Sequence, residues 1–301
     1  MFTTVNKTSS LRIATAQAAL ILPPHLVTVL ESKKGPKGDA LEIARAAGIL
    51  AAKKTWELIP YCHPIPLDQI TIDFETARTE VKITATVTAI WKTGVEMEAL
   101  IAAQIAATTI FDMLKPLDAN MEIARLKVLE KTGGKSGFKE ETPKDFKAAV
   151  IVTSDGTFAG KREDRSGKII KERLENYGIA DPAYCVLPDD AGEILQTLTR
   201  FFEEKFDLVL TTGGTGLGPR DVTVEATEAF IEKTVPGIME AARSFGQQRT
   251  PYAMLSRGLA GLKGNMLVVN LPGSSQGTKE SLDAIFPAIL HSYKMMMGGG
   301  H

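Results

Sequence analysis

Residues 139–147 hold Glu140, Glu141, Lys144 and Asp145 around Pro143, with only Phe146 to bury, and the apolar rhythm differs on the two sides of them. A stretch of that composition cannot knit one core, so it predicts a linker over 139–146 between two domains, residues 1–138 and 147–301. Length agrees, because 301 residues is about two domains' worth and 44% hydrophobic content lets each half bury its own core.

In the first half, residues 40–58 are alanine-rich, free of proline and closed by Pro60, which predicts a helix. Ile70, Ile72 and Phe74 alternate with polar residues, as do Val81, Ile83, Ala85 and Val87, which predicts an antiparallel strand pair with one wet face. Residues 95–115 read as one long helix whose Ala, Ile and Thr middle demands burial, and a further strand is expected over 121–130. The fold class expected is α+β with an antiparallel sheet. In the second half, apolar strands at 148–152, 207–210 and 266–271 alternate with helical stretches at 165–177, 192–205, 224–233 and 279–296. That alternation predicts an α/β domain, a mostly parallel sheet covered by helices, with ligands at the carboxyl ends of the strands.

The net charge of −1 leaves no basic field for nucleic acid or an anionic membrane, so the partners expected are small molecules and other protein chains. Cys62 and Cys185 fall in different halves and form neither a disulfide framework nor a Cys-rich metal site, which fits a reducing compartment. No secretion signal is visible, and the best apolar run, 99–111, includes Gln104 and falls short of the roughly 20 residues that span a bilayer. A cytoplasmic protein without a membrane partner is expected.

Two polar constellations carry the chemistry. In the first, Glu96 and Glu98 open the long helix while Asp112 and Lys115 share a face near its end. Sixteen residues at about 1.5 Å each put Glu96 roughly 24 Å from Asp112, too far to serve one small substrate. Either one end alone is catalytic, or the ends meet across a subunit interface, which is the preferred reading. His63 follows the helix-ending Pro60, available for proton transfer or else bonded to its neighbours. Cys62 reads better as a buried structural cysteine than as a nucleophile. The glutamates alone could be carboxylates favoured by the helix dipole. The segment KTGGKSG resembles the end of a P-loop, but Leu129 stands where the first glycine is required, leaving Lys131 and Lys135 as phosphate ligands.

In the second, TTGGTGLGPRD at 211–221 follows an apolar strand and precedes a helix. Gly213, Gly214 and Gly216 free its backbone amides to face an anion. A dinucleotide fingerprint fails because Pro219 occupies the third glycine position. Asp155, Asp189 and Asp221 are helix N-caps on the bland reading; at three strand ends beside a phosphate cradle they suggest magnesium held partly by substrate phosphates.

The segments KGDALEIARAAGILAAKKTWELIPYCHP, KTGVEMEALIAAQIAATTIFDMLK and GGKSG resemble the MoaC family, cyclic pyranopterin monophosphate synthase, over residues 1–138. The resemblance implies a ferredoxin-like fold, a hexamer with sites at dimer interfaces, and conversion of a cyclised dihydroguanosine triphosphate to cyclic pyranopterin monophosphate with release of pyrophosphate. It carries family roles onto Lys37, His63, Glu96, Glu98, Asp112 and Lys115, with Tyr61, Cys62 and Met97 lining the pocket. Family members open with a Val-Asp-Val-Ser type segment, and Thr3 stands here in place of its acid. SDGTFAGKREDRSG, LPDD, TTGGTGLGPRD, LSRG and NLPGS are similar to molybdopterin adenylyltransferase of the MogA and MoaB type over about 147–301. This implies a trimeric domain in which the phosphate of molybdopterin attacks the α-phosphate of MgATP, with Asp189 and Asp221 as the essential acids and metal ligands. Thr212, Gly213, Gly214, Thr215 and Gly216 would cradle phosphate, with Asp155, Ser256, Pro272, Gly273 and Ser274 at the substrate. The expected whole is a bifunctional enzyme of molybdenum cofactor synthesis, a homo-oligomer with threefold symmetry, using magnesium with ATP and no tightly bound organic cofactor. Two other readings stand beside it: a second half that only binds pterin and oligomerises, and a first half that is a decayed scaffold.

Overall fold

The computed structural model describes residues 2–134, 142, 143 and 145–298, and the chain divides into two compact units, residues 1–138 and 139–301. The first contains β1 (Ser10–Ile21), α1 (Pro24–Ser32), α2 (Ala40–Lys53), α3 (Thr55–Leu58), β2 (Gln69–Ala77), β3 (Glu80–Trp91), α4 (Glu96–Leu114) and β4 (Glu122–Thr132). Its strands form an antiparallel sheet in the order β2-β3-β1-β4. Val81, Ile83, Ala85, Val87 and Ala89 point inward, as the alternation predicts. On the other face the polar partners bond across strands, Thr15 to Thr86 at 3.0 Å and Gln17 to Thr84 at 3.1 Å. The expected α+β class with an antiparallel sheet is what forms.

The long helix is continuous. It buries one stripe, Ala99, Ala102, Ala103, Ala106, Ala107 and Ile110, and not its whole circumference, since Gln104 and Thr108 are exposed. The stripe suits close packing: a Cβ on Gly48 of α2 would sit 2.8 Å from the Ala102 carbonyl oxygen and 3.3 Å from the Ala106 methyl. By length and composition α4 would pass for a membrane span, contrary to the expectation that no run is long enough. Its buried residues belong to the core of this unit. The helix expected over 40–58 is two helices. The Thr55 hydroxyl donates to the Ala51 carbonyl at 3.2 Å, the Lys54 amide takes a three-residue bond to the same group, and α2 stops at Lys53. Strand β4 runs on to Thr132, so Lys131 stands on a strand and not in the loop, which begins at Gly133 and Gly134 (φ +92° and +82°).

The second unit contains β5 (Ala148–Thr153), α5 (Asp155–Phe158), α6 (Ser166–Asn176), β6 (Ala183–Leu187), α7 (Ala191–Glu203), β7 (Leu208–Thr212), α8 (Thr223–Phe230), β8 (Lys233–Thr234), α9 (Pro236–Gln247), β9 (Ala260–Lys263), β10 (Met266–Leu271), α10 (Ser275–Ile285) and α11 (His291–Met296). The sheet order is β6-β5-β7-β10-β9-β8, the first four strands parallel and the last two antiparallel, so the mostly parallel α/β class holds. Every residue of β5, β7 and β10 is buried, with a separate apolar cluster on each face, which is why these strands read as unbroken apolar runs. The helix expected over 279–296 starts earlier and divides at Pro287, whose missing amide cannot continue it. Of the expected linker, Thr142 bonds to the Tyr177 carbonyl at 3.3 Å and Phe146 packs edge-on to Tyr293, both within the second unit.

Candidate active sites

Each unit gathers its polar constellation by a different route. In the first, α4 carries a cluster at each end. The Asp112 carboxylate accepts from Lys37 at 2.8 Å and from Lys115 at 2.7 Å, and Lys37 also donates to the Asp112 backbone carbonyl at 3.0 Å. Lys115 caps the helix C-terminus, where a cation is favoured, and Lys37 arrives on the turn closed by Gly35 and Gly38. Hydrogen bonds from Lys115 and then Lys37 pull the Asp112 carboxyl down to about 2. Two ammonium groups on one half-exposed carboxylate leave a net positive cluster.

At the other end, Lys131 donates to Glu96 at 2.9 Å. Burial pushes Glu96 up, but the Lys131 hydrogen bond and the charges of Lys131 and Arg12 bring it net below the usual range. A Cβ on Gly94 would run into the Glu96 carboxylate, so that side chain folds back over glycine. Glu98, only 4% exposed, is pushed by burial to about 7, with Glu96 adding to the effect. The Cys62 thiol is raised by burial and by the charge of Glu98, so turn 61–63 lies beside this carboxylate. Just after that turn, Ile65 and Leu67 pack against the buried cluster that includes Val95 and Ala99. His63 is half-buried, Tyr61 is 76% exposed, and Met97 is exposed at the helix start. The structure thus divides the expected set: Lys37, Asp112 and Lys115 at one end, and Cys62, Glu96, Glu98 and Lys131 at the other. Lys135 lies outside the described residues. Arg12, beside Glu96 and donating to the Trp91 carbonyl at 3.3 Å, belongs with the second cluster and was not expected there; its only sequence signal is a charge inside an otherwise small and apolar strand.

In the second unit a cavity of about 670 Å³ opens at the carboxyl ends of β5, β7 and β10, lined among others by Thr153, Asp189, Gly213, Gly214, Asp221 and Ser274. Buried threonines hold the three strand ends together. Thr153 meets the Thr212 carbonyl at 3.3 Å and the Thr223 hydroxyl at 3.0 Å, and Thr212 donates to the Pro272 carbonyl at 2.7 Å. Asn270 donates to Thr211 at 3.0 Å and to Thr227 at 2.9 Å. Gly213 and Gly214 have φ +102° and +62°, and a Cβ on Gly213 would collide with the Thr153 carbonyl, so only glycine makes this turn.

Of the three acids expected at the site, Asp189 and Asp221 line the cavity, Asp189 because its neighbour takes the capping work. Asp190 caps α7, its carboxylate accepting from the Glu193 amide at 3.0 Å, which leaves Asp189 facing the cavity. Asp221 accepts from the Gly218 amide at 2.8 Å, and Arg257 braces the same loop through the carbonyls of Gly216 (2.7 Å) and Asp221 (2.6 Å). Asp155 does not line the cavity; its carboxylate is occupied by Arg220 and by the Asp189 amide, and these bonds hold it below the usual range. Thr215 and Gly216 are likewise absent from the lining, while Thr212 and Gly273 are in it. Ser256 and Pro272 line a smaller neighbouring pocket of about 170 Å³, which shares Ser274 with the first. Arg162, Glu163, Asp164, Arg165 and Ser166 also line the main cavity and were not anticipated, although the alternating charges of KREDR are legible. Asp164 is itself held, by the Tyr184 hydroxyl and by the Gly167 amide at 2.9 Å.

Among the described residues no cluster of three or more His, Cys, Asp or Glu side chains could hold a metal unaided. One oxygen of Asp189 accepts from the Asp155 amide at 3.1 Å and one of Asp221 from Gly218; no bond to the other oxygen of either is seen among the described residues. Two carboxylates of that kind suit a magnesium ion that takes its remaining ligands from water and substrate phosphates.

The MoaC family model matches residues 1–134, and the model described as a probable molybdopterin binding domain matches residues 149–291. A molybdenum cofactor biosynthesis bifunctional protein of Chlorobaculum tepidum is 42% identical over 96% of this chain and 92% of its own length. One of the same description from Synechococcus elongatus is 35% identical over 96% and 95%. A cyclic pyranopterin monophosphate synthase of Thermomicrobium roseum is 43% identical over 46% of this chain and 84% of its own.

Proposed function

The chain belongs to the bifunctional molybdenum cofactor biosynthesis proteins, and from that premise we propose that its two clusters of polar residues serve two separate reactions. The first unit converts a cyclised dihydroguanosine triphosphate to cyclic pyranopterin monophosphate and pyrophosphate. The observation that carries this reading is the Lys37–Asp112–Lys115 cluster, a carboxylate between two ammonium groups that can bind the polyphosphate and pass protons during ring rearrangement. Glu98, pushed up by burial to about 7, adds a group that exchanges protons near neutrality, and Lys131 and Arg12 hold Glu96 ionised. Because the clusters stand at opposite ends of one helix, a symmetric neighbour supplies the complementary end, in an oligomer with threefold symmetry. Pyrophosphate release by the full chain supplied with the cyclised triphosphate tests this: Asp112→Asn should abolish it in a folded protein, and a folded wild type that releases none would sink the reading.

The second unit adenylylates molybdopterin. A phosphate oxygen of the pterin forms a bond to the α-phosphorus of ATP as the bond to the departing pyrophosphate breaks. Support comes from a cavity that joins a glycine turn, the N-terminus of α10, Arg162 and Arg165 to the carboxylates of Asp189 and Asp221, with Glu163 and Asp164 also in its wall. The turn and the arginines orient and neutralise the phosphates, and Ser274 stands between the main cavity and its smaller neighbour. Magnesium bound with ATP between Asp189 and Asp221 would neutralise the phosphate charge. The setting proposed is a reducing cytoplasm, consistent with free thiols at Cys62 and Cys185. Formation of adenylylated pterin from ATP, lost in Asp221→Asn, is the expected result; pterin binding without ATP turnover by the wild type would favour a non-catalytic module instead.

A further inference from the structure

Asp189 and Asp221 enter the cavity from different loops, and what joins those loops is a carboxylate that lies outside it. Asp155 opens α5, with Ser154 taking the N-cap role. One of its carboxylate oxygens accepts from the Asp189 amide at 3.0 Å and from Arg220 at 3.0 Å; the other accepts from Arg220 twice, at 2.7 and 3.2 Å. Both oxygens of the carboxylate are therefore engaged by protein donors, and Asp155 is not among the residues that line the cavity. The Asp155 amide returns a bond to Asp189, leaving that side chain one unengaged oxygen. Arg220 and Asp221 are consecutive, and their side chains part: the guanidinium goes to Asp155 and the carboxylate faces the cavity.

Building on the adenylyltransferase reading above, we propose that Asp155 and Arg220 are positioning residues for adenylyl transfer, a clamp that ties the loop after β6 to the glycine loop and fixes the separation of Asp189 from Asp221. The bidentate pair sets direction as well as distance, which a lysine in place of Arg220 could not do. It also cancels the charge of one further acid beside a site that, on that reading, accepts a triphosphate. Both side chains are exposed, so the pair adds little to global stability, and its effect is local geometry.

The test compares full-length wild type, Asp155→Asn, Arg220→Gln and the double variant in the adenylylation assay, with amide hydrogen exchange at Asp189 as a second readout. A clamp predicts a loss of about tenfold or more in kcat for each single variant with KM for ATP and pterin held within about twofold, because misplacement by an ångström costs rate more than binding. It also predicts a double variant no worse than the worse single one, and faster exchange of the Asp189 amide in all three. Raised KM with unchanged kcat, or losses that multiply in the double variant, would overturn it. A folded wild type with no adenylylation at all sinks the adenylyltransferase reading instead; the exchange data then decide the clamp, faster exchange supporting it and unchanged exchange overturning it.

Discussion

Glu98 shows how a single residue can be conspicuous in structure and ordinary in sequence. In the string EMEAL the two glutamates look alike, and the helix dipole would favour ionising both. Folding separates them: Glu96 meets Lys131, whereas Glu98 is buried and raised from 4.5 to about 7. A carboxyl raised on folding leaves the native state at its most stable below pH 4.5, where both states are protonated, and loses that advantage as pH climbs through about 7. Glu98→Gln should therefore raise the melting temperature at pH 8 and change it little at pH 4, and thermal melts across that range would show it. The same substitution should remove a limb near 7 from the pH dependence of pyrophosphate release; a limb that persists would assign it to another group. Gly213 is the converse, plain in sequence as part of a glycine loop and explained by a φ of +102° against the Thr153 carbonyl. Gly213→Ala should cost at least about 1 kcal/mol in urea unfolding, because alanine pays for the left-handed backbone and meets that carbonyl.

The elements legible in advance were those with an unambiguous apolar period. The strands β2, β3, β5, β7 and β10 and the helix α4 all have one, and their expected bounds fall within a few residues of the observed ones. Strand β1 does not. Its run IATAQAAL is small and weakly β-forming, yet it lies in the middle of its sheet, between β3 and β4. The small residues have a purpose: they match the alanine stripe of α4, and Gly48 lets α2 approach equally closely. Gly48→Leu would drive α2 away from Ala102 and should destabilise the first unit by about 1–3 kcal/mol, read from denaturant unfolding by circular dichroism. A neutral result would mean that the helix contact repacks freely.

At the scale of the whole molecule, each unit has its own sheet, core and acid cluster. Asp112→Asn should abolish pyrophosphate release from the cyclised triphosphate while leaving adenylylation at the wild-type rate, and Asp221→Asn should do the reverse. Cross-inhibition in either direction would show that the two activities are coupled. The sequence alone determined that there are two fold classes here and which families the two halves resemble, because apolar periodicity and motif spacing are local properties written in consecutive residues. Only the tertiary structure decided that Asp155 holds Asp189 and stays out of the cavity, that Arg220 reaches back to it, that Arg12 stands by Glu96, and that Ser256 lines a second pocket. Those outcomes depend on which loop ends the sheet brings together, and sheet order is set by long-range burial and strand pairing, which no local window of sequence contains.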